Sequence, residues 1–509
     1  MILHVEIPEA QSADCPIWQI IVIDQSPSFL FKFYENEPIL PGKLMHIAMK
    51  LALILCTCLL FGCQTALPNV SRIQEENVAD RAQPVIVGSH GELRPSKSKE
   101  LLEKLRQKAG STDLIQANIS LMESLGGLPL TAGNHVTLLV DGPATFASMS
   151  KAIAEAKDHV NIETFIFDDD DVGRQFAELL IRKQTEKVQV NLIYDSVGCM
   201  RTPAAFFKRL KDAGVNVLEF NPVNPVKAKK EQLITNRDHR KVVVVDGRVA
   251  FTGGVNLSGV YSKGQSLSGS PDGNAEGNAE EGWRDTHVRI VGPSVAQFQT
   301  LFIQTWKDQK GPELARRDYF PALHHEGHAY VEVIGSTPGD ENRLTFVMYV
   351  SAIEHAMYSA HLTTPYFVPD RQFMHALTDA AGRGVEVKLI LPGASDSKLA
   401  FYAGRSHYED LLEAGVTLYE RRARMLHSKT ATIDAVWSTV GSTNLDQLSF
   451  QNNNEINAII LNTDFAEQMD NLFSQDIAAS DEITRDAWSR RPLWDRVKEM
   501  FSRLFSGLL

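Results

Sequence analysis

Leu411-Leu-Glu-Ala-Gly-Val416 echoes Leu210-Lys-Asp-Ala-Gly-Val215 without a gap in one chain. Each belongs to a longer run that also repeats. In the first, the helix-like residues 146–157 lead to the apolar run 160–167, residues 173–187 lead to 188–194, and 206–214 lead to 215–220. In the second, 346–358 precede 361–367, 372–384 precede 385–391, and 408–415 precede 416–420. Amphipathic helices alternating with short, β-branched apolar runs predict an α/β domain with buried strands. Gly214, Gly384 and Gly415 stand where helices should stop. The expected architecture is therefore a duplicated α/β unit, two similar halves packed side by side.

Each half then ends in the same chemistry. His239-Arg240-Lys241 is followed by Asp246, Gly253 and Asn256-Leu257-Ser258; His427-Ser428-Lys429 is followed by Asp434, Gly441 and Asn444-Leu445-Asp446. The spacings agree at every one of these positions. Residues two apart on a strand face the same side, so each histidine and its lysine can enter one cavity. Asn256 and Asn444, returned by a small-residue turn, can point back into it. Histidine attacks phosphorus or donates a proton near neutral pH, lysine offers a compact charge to phosphate oxygens, and asparagine adds neutral donors. Two such sets suit in-line displacement on a phosphodiester without a metal or cofactor. Asp246 and Asp434 are expected to orient a histidine, either of their own half or across the interface.

These paired motifs resemble the catalytic motifs of the phospholipase D superfamily, over residues 131–464. Within it the chain looks most like the bacterial cardiolipin synthases, on Asn221-Pro222, Trp283-Arg284-Asp285-Thr286-His287 and Thr364-Pro365-Tyr366-Phe367. The resemblance implies two phospholipase D-like halves with a shared active site at their interface. It implies that one motif histidine becomes a phosphohistidine and the other protonates the leaving alcohol; His239 is assigned as nucleophile and His427 as acid. Lys241, Asp246, Lys429 and Asp434 complete the catalytic set, and Asn256, Asn444 and Ser258 are the expected substrate contacts. Asp285 and Glu455 match positions where the family carries an acid that holds a motif histidine. The chain departs from the family at Leu448, where Arg often precedes the serine, here Ser449.

Outward from the halves, the chain says less. A net charge of −12 over 509 residues argues against a nucleic-acid partner. The most apolar stretch, 47–62, reads as a signal peptide ending in Leu60-Phe61-Gly62-Cys63, which resembles a lipoprotein box with Cys63 as the lipidated residue; an uncleaved anchor is the other reading. The natural start is expected at Met45 or Met49. The implied organisation is a leader over 1–44, a signal or anchor over 45–62, a tether and helical lead-in over 63–130, halves over 131–325 and 326–480, and an amphipathic helix over 481–509. Residues 262–282 read as a solvated insert, Asp168–Asp171 as a solvated loop rather than a divalent-metal site, and Cys199 as a packing residue. Trp494, Val497, Phe501, Leu504, Phe505 and Leu508 share one helical face, which suits either a membrane interface or packing on the body. The expected partners are a phospholipid, phosphatidylglycerol or similar, and a membrane; the expected place is the bacterial cell envelope, on the periplasmic side. Transfer to an alcohol and hydrolysis to phosphatidic acid share every residue named, and a nuclease or a non-catalytic lipid-binding protein fits less well.

Overall fold

The computed structural model of the chain describes residues 67–78, 85–109, 113–223, 236–263 and 282–509. The leader, the signal segment with Cys63 and nearly all of the 262–282 insert lie outside them. The described residues belong to one unit, Gln64–Leu509.

The chain opens with α1 (Val70–Val78), strands β1 (Ile86–Gly88) and β2 (Gly91–Glu92), α2 (Pro95–Ala109) and α3 (Asp113–Ser124). The first half follows: β3 (Leu130–Val140), α4 (Asp141–Glu155), β4 (His159–Thr164), α5 (Asp171–Thr185), β5 (Gln189–Asp195), α6 (Ala204–Asp212) and β6 (Asn216–Phe220). It continues with β7 (Arg237–Asp238), β8 (Lys241–Val245), β9 (Val249–Gly253), β10 (Thr286–Val291) and α7 (Val295–Asp308). The second half runs β11 (Ala329–Ser336), α8 (Leu344–Glu354), β12 (Ser359–Thr363), β13 (Phe367–Val368), α9 (Arg371–Gly382), β14 (Glu386–Pro392), α10 (Lys398–Arg405), α11 (Tyr408–Ala414) and β15 (Thr417–Arg421). Then come β16 (Thr430–Ile433), β17 (Trp437–Gly441), β18 (Leu445–Asp446), β19 (Asn453–Leu461) and α12 (Thr463–Ala478). Strand β20 (Ser480–Ile483), α13 (Arg485–Ser489) and α14 (Leu493–Arg503) close the chain.

The duplication read in the sequence is a duplication of sheet order. The first half is ordered β6–β5–β4–β8–β9–β10–β3. The second is ordered β15–β14–β12–β16–β17–β19–β11. In each, three parallel strands joined by crossover helices continue into antiparallel strands, one pair of which carries the His-x-Lys residues into the sheet. Strand β3 pairs β11, so the two sheets are continuous at their edges. The inner faces meet in a dry layer: Val242, Val244 and Ile290 of one half with Val333, Ile456 and Ala458 of the other. Burial of that layer makes the halves one folding unit.

Capping repeats as well. Asp170 accepts the Gly173 N–H at the start of α5, and Asp370 accepts that of Phe373 at the start of α9. Within the acidic run, Asp170 therefore has a structural task; it also accepts the Gly259 N–H at 2.5 Å. The 63–130 segment does more than tether. Val70, Leu102, Leu105, Leu114, Ile115 and Met122 enter the core of the second half with Phe346 and Tyr349.

Candidate active site

Strand β8 begins at Lys241 and β16 at Thr430, just after Lys429, and the residues before them cross to the opposite half. The His239 N–H donates to the Asn454 carbonyl at 3.0 Å, beside the β7–β19 pairing. The His427 N–H donates to the Arg284 carbonyl at 2.8 Å, beside an Arg284–Leu426 bridge. Each histidine is thus pinned by the other half's backbone. The residue between histidine and lysine faces away, as period two requires. Arg240 reaches the Glu455 and Ser336 carbonyls and the Thr305 hydroxyl; Ser428 meets Thr286 and Arg284.

The side chains cross in the same reciprocal way. His239 Nδ1 lies 3.0 Å and 3.1 Å from the two Glu455 oxygens, and His427 Nδ1 lies 2.7 Å from Asp285 Oδ2. Glu455 belongs to the second half and Asp285 to the first. They occupy equivalent places, just before or at the head of β19 and β10. All four groups are buried. Lys241 Nζ donates to the His239 carbonyl and Lys429 Nζ to the His427 carbonyl, both at 2.5 Å. Burial lowers both histidines, and Lys241 and Lys429 each add to the lowering of both; with the cross-half carboxylate contacts, the two sets stand together.

The two histidines have different surroundings. Burial pushes Glu455 up, but His239, Lys241 and the Ser442 hydroxyl together hold it below its usual value, as a carboxylate. Asp285 is raised by burial to about 7 despite Lys429 and the Thr286 N–H. Burial lowers His239, opposed by Glu455, and lowers His427 further. Burial also brings Lys241 down to about 7 and Lys429 to about 8. Phe165 lies edge-on to His239 at 5.1 Å between centroids. His427 stands against Trp283 at 5.1 Å and Tyr261 at 5.7 Å, and the Tyr261 hydroxyl lies 3.3 Å from its Nδ1.

Asn256 Nδ2 donates to that Tyr261 hydroxyl at 3.0 Å while its Oδ1 accepts the Ile166 N–H. Asn444 takes the Ser449 hydroxyl at its backbone N–H, and its Oδ1 is buried with no partner among the described residues. Ser258 turns back on its own loop and caps the short turn at Val260.

Asp246 and Asp434 stand elsewhere. Asp246 accepts the N–H groups of Lys157, Asp158 and His159 at 2.8–3.0 Å. Asp434 accepts those of Met357, Tyr358 and Ser359 at 2.7–3.0 Å. Each sits past the far end of its strand in a left-handed turn (φ 52° and 50°) and nails the preceding helix-to-strand loop. Neither touches His239 or His427: five residues of extended chain carry each away from its lysine. The carboxylates that stand against the motif histidines are those of Asp285 and Glu455.

Tyr261, Trp283, Phe165 and Ser442 also stand at the site, and the motif pattern does not point to them. Trp283 adjoins the Arg284-Asp285 pair, which is the one local signal; Tyr261 and Phe165 have no aromatic counterpart in the other repeat, where Ser449 and Pro365 stand, so symmetry could not find them. Cys199 is buried, its thiol between the Phe167 N–H and the Phe165 carbonyl, and burial raises it far above a reactive range.

Residues 149–264 and 349–477 match a family model described as cardiolipin synthase, PLD-like domain. The chain is 33% identical over 394 residues to the cardiolipin synthase of Geobacillus sp. (strain WCH70), covering 77% of this chain and 76% of that one. It is 32% identical over 383 residues to the major cardiolipin synthase of Bacillus subtilis (strain 168), covering 74% and 76%. Among solved structures, phosphatidylserine synthase of Haemophilus influenzae Rd KW20 superposes with a TM-score of 0.52 at 14% identity, over 76% of this chain and 98% of that one, a likeness of fold.

Proposed function

Because this chain belongs to the cardiolipin synthase family of the phospholipase D superfamily, we propose that it moves a phosphatidyl group from one phosphatidylglycerol to the hydroxyl of another. The enzyme class is phosphatidyltransferase; the lipid, the acceptor and the residue roles are our reading. The observation that carries the roles is the unequal pairing of two otherwise symmetric histidines.

His239 is the nucleophile. Its Nδ1–H donates to Glu455, a carboxylate, which leaves Nε2 as the free lone pair and favours the cationic imidazole that forms when Nε2 bonds phosphorus. His427 is the acid. It shares an exchangeable proton with Asp285, whose pKa near 7 suits a group that must give and regain one. In the first displacement the N–P bond forms, the P–O bond to the leaving glycerol breaks, and His427 protonates that oxygen. In the second, the acceptor hydroxyl gives its proton to His427, its oxygen attacks phosphorus, and the N–P bond breaks. Lys241 and Lys429 neutralise the equatorial oxygens, so no metal or cofactor is needed. The rings of Phe165, Tyr261 and Trp283 line the histidines and limit water, which supports transfer over hydrolysis.

The substrate is a bilayer lipid, and the expected leader directs the chain to the envelope membrane, periplasmic side. Among the described residues no helix is long and apolar enough to cross a membrane. Two assays test the reading. Protein in detergent with phosphatidylglycerol vesicles and EDTA should make cardiolipin; phosphatidic acid alone would establish the hydrolase. With a p-nitrophenyl phosphodiester, whose leaving group needs no acid, His427→Ala should accumulate phosphoenzyme and His239→Ala should form none. The reverse pattern would exchange the two roles.

A further inference from the structure

Helix α14 is docked the wrong way round for a soluble protein. Residues 493, 494, 497, 500, 501 and 504 form one stripe at helical spacing, and all of them are exposed: Leu493 76%, Trp494 66%, Met500 67% and Leu504 67% of their full surface. The opposite stripe packs on the body, with Glu499 at 2% and Ser502 at 4%. An amphipathic helix ordinarily buries its apolar stripe. Here the buried side is charged and specifically fastened. Glu499 takes Arg491 at 3.0 Å and faces Arg405 at 3.7 Å, and Lys498 donates to the Tyr402 hydroxyl at 3.1 Å. Arg405 is itself paired with Glu420 at 2.6 Å and lies over the Trp488 ring. Desolvating those charges is costly, so the exposed stripe is not a chance result of weak docking.

Two further features say what covers the stripe. The tail is basic in an acidic protein: from 485 onward Arg485, Arg490, Arg491, Arg496, Lys498 and Arg503 face only Asp486, Asp495 and Glu499, and Arg496 and Arg503 are exposed beside the apolar residues. The end of the chain is also tied to the active-site wall. The Leu448 N–H donates to the Leu509 carbonyl at 3.0 Å, one residue from the Ser449 whose hydroxyl holds Asn444. Leu509 packs with Tyr366, Val368 and Ala403, and Tyr366 bonds Asp396, whose charge is felt at His427 and Lys429.

We propose that α14 is an interfacial helix for an anionic bilayer: its apolar stripe enters the headgroup boundary, Arg496 and Arg503 meet lipid phosphates, and the Leu509–Leu448 tie holds the site mouth at that surface. The proposal rests on a lipid substrate for the choice of bilayer, but its test does not require turnover. The full chain is reconstituted in phosphatidylglycerol vesicles carrying brominated acyl chains, and the Trp494 emission is taken as wild type minus Trp494→Phe. We expect quenching by the brominated lipid and shielding from acrylamide, both weaker in phosphatidylcholine vesicles. Trp494→Ser/Met500→Ser should lower the rate on vesicle phosphatidylglycerol roughly tenfold, as loss of two exposed apolar contacts implies, and leave a soluble p-nitrophenyl diester unaffected. Trp494 that stays open to acrylamide and unquenched by lipid overturns the proposal. So does a wild-type dimer, on cross-linking in the vesicles, that the double variant abolishes, because a second copy would then cover the stripe. If the wild type makes no lipid product while Trp494 is quenched, the surface stands and the proposed function falls.

Discussion

Replacing Asp434 by alanine should damage the fold and spare the chemistry. Its carboxylate is buried and accepts three backbone N–H groups, from Met357, Tyr358 and Ser359. Hydrogen bonds to a charged acceptor contribute about 1.5–3 kcal/mol each, and water recovers part of the loss where the loop is reachable. Alanine must also hold a φ near 50°, where Asp and Asn are tolerated and other residues cost roughly 1–2 kcal/mol. The expected loss is therefore about 4–6 kcal/mol for Asp434→Ala. For Asp434→Asn, which keeps one carbonyl oxygen and the turn, it is roughly 1–2 kcal/mol. Asp246→Ala should cost less, about 2–4 kcal/mol, because Asp246 is half-buried and the Lys157 N–H it serves is exposed. Urea melts give the ranking, and turnover on a soluble diester below the transition gives the chemistry. His239→Ala is the converse control, inactive below its own transition wherever that midpoint falls. An Asp434→Asn protein that keeps its urea midpoint and loses turnover would refute the reasoning, since the carboxylate would then act on the reaction itself.

Three further outcomes follow from the site. Lys241 and Lys429, brought down by burial to about 7 and 8, must be charged to hold an anion, and a bound anion raises both. Inhibition by tungstate should therefore be flat below pH 7 and weaken about tenfold per pH unit for each lysine above its value; a constant Ki from pH 6 to 9 would deny the lysines this role. Glu455→Gln should slow phosphoenzyme formation by roughly 10²–10⁴-fold even with a p-nitrophenyl diester, since His239 loses its charged partner; an unchanged burst rate would remove Glu455 from the positioning set. Asp285→Asn should slow transfer from phosphatidylglycerol while nearly sparing the p-nitrophenyl burst, and equal losses on both substrates would mean that Asp285 serves more than proton delivery.

The sequence by itself determined the duplication, the α/β class and the placing of each motif histidine beside its lysine on one strand. Periodicity is local: helix and strand spacing are written in neighbouring residues, and a two-residue separation places histidine and lysine on one side of a strand whatever surrounds it. The tertiary structure decided what each group touches. Glu455 lies far from His239 in the chain, and only the packing of one half against the other brings them to 3.0 Å. Asp246 and Asp434 share the spacing of their motifs, yet that spacing carries them along the strand to its far end, where they take the backbone N–H groups of a loop. The difference between Glu455 and Asp285, equivalent by repeat, comes from unequal neighbours in a dry interior, where each nearby charge is weakly screened. The tail is the plainest case. Its spacing fixes an amphipathic helix, but which face meets the body depends on Arg405 and Tyr402, whose own positions are set by helix α10 and not by the tail.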